Sequence, residues 1–405
     1  MSNISNGAHA RLHEFQQEIG GEFMGFGPPS EGGVRIVADF GRYEAEYAAI
    51  RQRVGIAHMP QRAVLRLSGA DRADFLHRML SCNVQALGGG GTRRAFQLDP
   101  RGRIIADLML HHGEADTWLE TDVMDIENLR QLFEGRLFGE DMQIEDFRDQ
   151  RTKLVMHGPG AFALLESVAD DPEGVRRLVN MAGTHHVIHI GDVAVSAYRH
   201  DDTGSVGLHL LVPAAQGLGI YRTLLDAAGF DAAAESEPGP GYARQRRESL
   251  RGRPIGWLAY NTARIEAGTA VFHVDFGNDS LPAETGAMDE AVDMDKGCYL
   301  GQEVVARMQS RGHPRRVLVG VRLDGARLPM AGATVLSAEG DESDAGGEVI
   351  GAVTSSTLSP LLGQTAIAFA VVQWGQHHPG TRVRIPTEEG TAQGHVHALR
   401  FISGT

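Results

Sequence analysis

Residues 293–312 read DMDKGCYLGQEVVARMQSRG, and Cys298 among them is one of only two cysteines in 405 residues. A thiol becomes a nucleophile when nearby positive charge stabilises its thiolate. Gln302-Glu303 opens an amphipathic pattern, with Val304, Val305 and Met308 on one side and a stop at Gly312 before Pro314. The spacing predicts a helix whose positive N-terminal end follows Cys298 by a few residues. Lys296 is two positions away, and Arg307, Arg311, Arg315 and Arg316 follow. A structural thiol packed under the helix fits the same residues, so local chemistry leaves both readings open.

Other candidates are more scattered. Asp107 sits inside the apolar run of a second hairpin strand, where a carboxylate is either edge-exposed or held in a site, since burying it unpaired is costly. Arg264 and Glu266, in TARIEAG, form a close charge pair before a glycine turn: a surface pair by default, or an anchor for a carboxylate ligand. Histidine pairs stand at 111–112, 185–186 and 377–378, but neither HExxH nor a zinc-like Cys–His spacing occurs, and no metal centre is expected, the run of His185, His186 and His189 included. GxSxG and Walker sequences are absent, and GGGG at 88–91 reads as a flexible turn. Cys82 reads as core filler. Two cysteines make neither a disulfide framework nor a cluster site, and they fit a reducing compartment.

These residues must be positioned by α+β elements. VRIVADFGRY reads as strand and turn, and YEAEYAAIRQRVGIAH as a helix with Tyr47, Ile50 and Val54 on one face. RAVLRLSG alternates as a strand. ADRADFLHRMLSCNV reads as a helix carrying Phe75, Met79 and Cys82, and AFQLDPRGRIIADLMLHH as a hairpin. DIENLRQLFEGRLFG and KLVMHGPGAFALLESV add a helix and a strand–turn–helix unit. Residues 232–254, with Arg244, Arg246, Arg247, Arg251 and Arg253, read as a surface connection. From 314 onward short strands separated by Gly, Pro and Asp predict an antiparallel barrel or sandwich. The expected organisation is a polar leader (1–33), an α+β region of two subdomains (34–313) and a C-terminal β-barrel (314–405). A net charge of −14 argues against nucleic-acid binding but leaves room for a small anion in a basic pocket. No apolar run suits a signal peptide or membrane span, and a cytoplasmic protein is expected.

KGCYLGQEVVAR resembles the signature of the YgfZ-type proteins, folate-binding factors in iron–sulfur protein maturation within the superfamily of the glycine-cleavage T-protein, or aminomethyltransferase. VGIAHMP (54–60), LRLSGADRADFL (65–76), LDPRGRIIADL (98–108), PIGWLAYNTARIEAG (254–268), PAETGAMDEAV and VIGAVTSSTLSPLLGQTAIAFA (349–370) are similar to the superfamily in the same order, covering about residues 35–403. The resemblance implies two α+β domains around a folate pocket plus a C-terminal β-barrel, with tetrahydrofolate or a one-carbon derivative as ligand. It marks Lys296, Gly297, Cys298, Tyr299, Gly301, Gln302, Glu303 and Arg307 as the signature segment. It makes Cys298 and Asp107 the candidate catalytic residues, Asp107 standing where the T-protein holds two adjacent acids. RHDDTGSVGLHL (199–210) resembles the T-protein's pteridine-holding region, so Arg199 and His209 join Asp107, Arg264 and Glu266 as candidate folate contacts. Ser205 and His209 stand where that region has glutamates. The function implied is assembly or repair of iron–sulfur enzymes through a reactive cysteine, with transient client or assembly proteins as partners and neither nucleic acid nor membrane. The alternatives are a tetrahydrofolate-dependent aminomethyl- or methyltransferase and a non-catalytic folate-binding scaffold.

Overall fold

A computed structural model describes residues 7–181, 183–232, 252–338 and 347–402. The arginines at 244, 246, 247 and 251 lie outside these residues, as does the side chain of Arg311. The chain divides into two compact units. One comprises residues 1–77, 84–94 and 108–260, and the other 78–83, 95–107 and 261–405.

The first unit is built on strands whose two faces differ in chemistry. In order they are β1 (Glu22–Phe26), β2 (Val34–Asp39), β3 (Gly55–His58), β4 (Arg62–Ser68), β5 (Gly91–Leu98), β6 (Ile104–His112), β7 (Asp116–Asp122), β8 (Gln143–Asp146), β9 (Arg151–His157), β10 (His185–Ile190), β11 (Val193–Arg199), β12 (Gly207–Pro213) and β13 (Arg253–Pro254). β5 and β6 run on into the second unit. β1 and β2 pair alone. A six-stranded sheet runs β10-β11-β12-β9-β3-β13 and a five-stranded sheet β5-β6-β7-β4-β8. Pairing in the six-stranded sheet is antiparallel except for the short parallel contact of β13 with β3, which agrees with an α+β rather than a doubly wound reading.

Period-two alternation sorts the six-stranded sheet's side chains. Leu154 and Met156 of β9, Ala197 of β11, and Leu208 and Leu210 of β12 enter one core with Leu164 and Leu165 of the helix Ala161–Val168 and Leu224 of the helix Gly217–Ala227. The intervening Lys153, His157, Tyr198 and His209 therefore share the opposite face. Strand propensity and burial agree on the first face. The second face carries polar groups that must find partners.

The second unit contains a closed barrel of β14 (Arg316–Leu323), β15 (Thr334–Ser337), β16 (Val349–Ser359), β17 (Thr365–Gln373), β18 (Arg382–Thr387) and β19 (Gly390–His397), in the order β14-β17-β16-β15-β18-β19. The barrel settles the choice between barrel and sandwich. β16 bulges between Val353 and Ser355, so its buried positions pass from Ile350 and Val353 to Ser355, Thr357 and Ser359.

Four sequence expectations need adjustment. Residues read as a leader hold a helix (Gly7–Glu18) and β1, and Leu12 is buried in the first unit's core. The helix Arg72–Met79 stops short of Cys82: the Ser81 hydroxyl accepts from Phe96 N (2.8 Å) and donates to Ala291 O (2.6 Å), which turns the chain away. Cys82 is nonetheless buried. The helix Tyr43–Gln52 ends before Val54. Arg264 and Glu266, on the helix Trp257–Ala267, are fully buried rather than a surface pair. The predicted signature helix forms over Gln302–Arg311.

Gly301 begins that helix at φ +84, and a Cβ there would sit 2.6 Å from Asp99 O and 2.9 Å from Leu98 Cβ. Gly301→Ala should therefore cost more than Gly139→Ala, whose glycine has φ +107 but open space around it. We expect about 1–3 kcal/mol from backbone strain at both sites, plus a clash at residue 301 alone. Urea-unfolding midpoints that fall equally for the two variants would contradict this.

Candidate active site

In the first unit the polar residues converge on Glu120, which is 1% exposed. Glu120 Oε1 accepts from Lys153 Nζ at 2.5 Å and Arg62 Nε at 2.9 Å, and Oε2 accepts from Tyr198 OH at 2.8 Å. His111 Nε2 stands 3.9 Å from the same carboxylate. Burial opposes this charge, but Lys153, His111 and Arg62 overcome it and hold the carboxyl well below its ordinary range. The Lys153 ammonium is shifted the other way: burial pulls it down, partly offset by Glu120. Burial and Glu120 together raise the Tyr198 phenol well above its usual range. Lys153 also donates to Tyr198 OH at 2.9 Å.

Beside this network lies a second buried cluster. Asp202 accepts from Tyr260 OH at 2.8 Å through Oδ2. His157 Nδ1 lies 3.4 Å from Asp202 Oδ1, and His209 Nε2 lies 3.8 Å from the same oxygen. His209 Nε2 also bonds His200 O at 3.1 Å. Burial, with Lys153 nearby, lowers His209 to about 3, and burial lowers His157. Burial opposes ionisation of Asp202 but the two histidines win, and its carboxyl falls below the usual range. The adjacent turn is tied by Arg51, whose Nη1 donates to Thr203 O (2.6 Å) and Ser205 Oγ (3.2 Å). Arg199 pairs with Asp201 at 2.7 Å and lies over the Phe162 ring. The structure thus brings His209 into a cluster and commits Arg199 to a neighbouring acid.

The remaining predicted residues belong to the second unit. Asp107 is 8% exposed on β6. Arg264 Nη1 pairs with Asp275 Oδ2 at 2.5 Å, and its Nε donates to Asn261 Oδ1 at 2.9 Å. Asp275 Oδ1 accepts from Thr354 (3.0 Å) and Ser355 (2.6 Å) of β16. Glu266 accepts a hydrogen bond from Ser359. Both charged residues therefore tie their helix to internal partners.

The signature segment is arranged differently from expectation. Lys296 is buried, and its Nζ donates to Leu80 O (2.6 Å) and Cys82 O (2.8 Å). The amine anchors 296 to 80–82 instead of supplying open charge around Cys298. Burial lowers it to about 8. Tyr299 is buried beneath it, with Nζ 4.8 Å from the ring centroid, and burial plus Asp293 raise its phenol to about 12. Gly297 and Cys298 are exposed. Gln302 is half-buried, while Glu303 and Arg307 are exposed and pair at 2.8 Å across one helical turn. Arg316 pairs with Asp279 and Glu284.

Residues 12–234 match the family model of the GCVT N-terminal domain, and residues 316–402 match the glycine cleavage T-protein C-terminal barrel domain. The chain belongs to the glycine cleavage T-protein family. An aminomethyltransferase of Chlorobium chlorochromatii is 23% identical over 407 residues, covering 97% of this chain and 98% of the relative. One from Streptomyces coelicolor is 26% identical over 347 residues, covering 84% of each. The crystal structure of glycine cleavage system aminomethyltransferase T from Bartonella henselae superposes with a TM-score of 0.79 at 22% identity, covering 97% of both chains. With the barrel, these findings establish the T-protein-like α+β fold. Among the described residues no helix is long and apolar enough to cross a membrane.

Glu120, Lys153, Tyr198, Asp202, His157 and Tyr260 escaped sequence reasoning because their partners lie tens of residues away. One signal was available: the chain has only two lysines, Lys153 and Lys296, against 36 arginines. Both lysines are buried.

Lys153→Met should cost about 3–5 kcal/mol by stranding the Glu120 charge, and Glu120→Gln should also destabilise. The double variant should cost less than the sum by about 1–3 kcal/mol; additive losses in urea unfolding would sink the pairing. For Lys296 the sign is set by its lowered amine. Between about 8 and the ordinary 10.5 the folded amine is largely neutral while the unfolded one still binds a proton. Stability conferred by Lys296 therefore rises with pH through that window. Compared with Lys296→Met, the wild type should gain in urea midpoint from about pH 7.5 to 9.5, and a difference that stays flat would exclude the shift.

Proposed function

We propose that this protein is a tetrahydrofolate-dependent one-carbon transferase of the aminomethyl- or methyl-transferring type, acting on an amine donor. The observation that carries this reading is the whole-length relationship: relatives named aminomethyltransferase align over 97% of the chain, with both family domains in order. The first unit carries aromatic side chains against which a flat ring can pack, in a cleft that as it stands has room for about one water molecule. Trp257, Tyr260, Met59 and Gln61 line a small cleft, the Trp257 and Tyr260 rings stand 5.5 Å apart, and Gln61 Oε1 lacks a hydrogen-bond partner among the described residues. Tetrahydrofolate, when bound, supplies the nitrogen that takes up the one-carbon unit. Asp107 is the carboxylate we assign to orienting it.

A second reading, the YgfZ-type role in iron–sulfur enzyme assembly or repair, is favoured by the exposed Cys298 in KGCYLGQE. The buried Lys296 leaves that thiol without the lysine charge the reading relied on. The thiol would act on an adduct or cluster of another protein, in a reducing cytoplasm.

Purified protein incubated with tetrahydrofolate and a panel of methylated and aminomethyl donors should yield a 5,10-methylene or 5-methyl folate. Asp107→Asn should slow formation about 100-fold, and Cys298→Ala should leave it unchanged. An absence of folate product from every donor removes the transferase reading. Complementation of iron–sulfur enzyme activity by wild type but not by Cys298→Ala, in a strain lacking the protein, would transfer the weight to the second.

A further inference from the structure

We propose that His157, Asp202 and His209 form a binding site for one divalent transition-metal ion of the zinc class. Two imidazoles and one carboxylate are a donor set such ions accept. All three side chains are buried, and one ring nitrogen of each histidine and one Asp202 oxygen lie within 4.8 Å of one another. The elements that hold them are stiff: His157 ends β9, His209 lies on the paired β12, and Asp202 sits in the turn joining β11 to β12.

The distances fit. Metal–ligand bonds of about 2.1 Å in a tetrahedron separate donor atoms by about 3.4 Å. Asp202 Oδ1 is already 3.4 Å from His157 Nδ1 and 3.8 Å from His209 Nε2. Closing the cluster requires His209 Nε2 to exchange its bond to His200 O, now 3.1 Å, for the ion.

A second observation points the same way. Asp202 Oδ1, the oxygen that both histidines approach, has no hydrogen-bond partner among the described residues. Buried polar atoms are normally satisfied, and a buried carboxylate oxygen without a donor calls for a ligand. At 3.8 Å the His209–Asp202 approach is too long for a hydrogen bond. The other Asp202 oxygen is held by Tyr260 OH at 2.8 Å, the kind of outer contact that fixes a ligating carboxylate. Lys153 acts against a cation here, but its charge is matched by Glu120 at 2.5 Å. His209 is also a candidate folate contact, so the test reads metal binding directly and without folate present.

The test uses full-length protein, stripped with a chelator and titrated with cobalt(II). The expected result is about one equivalent bound, visible d–d bands stronger than those of aqueous cobalt, and a melting temperature raised by several degrees. Asp202→Asn and His209→Gln should both lose the bands. A wild type without such bands, or bands of equal intensity in folded variants, overturns the site. If the variants do not fold, X-ray absorption of the cobalt-loaded wild type decides: a shell with two imidazoles supports it, and a shell of oxygen alone overturns it.

Discussion

The first unit depends on a single carboxylate. Glu120 of β7 takes the Arg62 side chain of β4 from its own sheet and those of Lys153 (β9) and Tyr198 (β11) from the other. It therefore pins two sheets together by their polar faces. An ion in that position is tolerable only when nearly every lone pair is used, because desolvation otherwise exceeds the Coulombic gain. Glu120 meets that condition. The consequence is rigidity in what it touches. The Tyr198 ring stands 4.5 Å from His111 and 5.0 Å from His209, so the fixed tyrosine also packs against the histidine–aspartate cluster.

The use of lysine follows the same logic. Arginine carries nearly all of the chain's positive charge, and the two lysines are kept for buried positions. A guanidinium stays charged when buried, whereas an amine can shed its proton, and its compact head suits a few converging acceptors. Lys296 faces two carbonyls, and a neutral amine still has two N–H groups to give them. The signature segment is thus anchored by a residue that need not be charged, with Cys298 exposed two positions on.

Much of the architecture was legible in the residues. Alternation along 314–403 announced short antiparallel strands, Asp99 to Gly102 announced the hairpin turn, and Gly312 marked a helix end. Each is a local signal, carried by a side-chain period or a turn residue. The site was less legible, since it depends on pairings across long loops. Arg264 looked like a surface partner of Glu266 because the two are close in sequence. Its actual partner is Asp275, eleven residues away and braced by β16. Lys296 looked like a charge beside a thiol for the same reason, yet it reaches back to residues 80–82. Neighbours in sequence supply charge, but the topology decides where it points.

The central claim is that this chain holds a folate. Calorimetric titration of the full-length protein with tetrahydrofolate, under reducing conditions, addresses it most directly. The account predicts saturable heat with one ligand bound per chain. A titration with no heat, and no tetrahydrofolate retained by the protein on equilibrium dialysis, would contradict it.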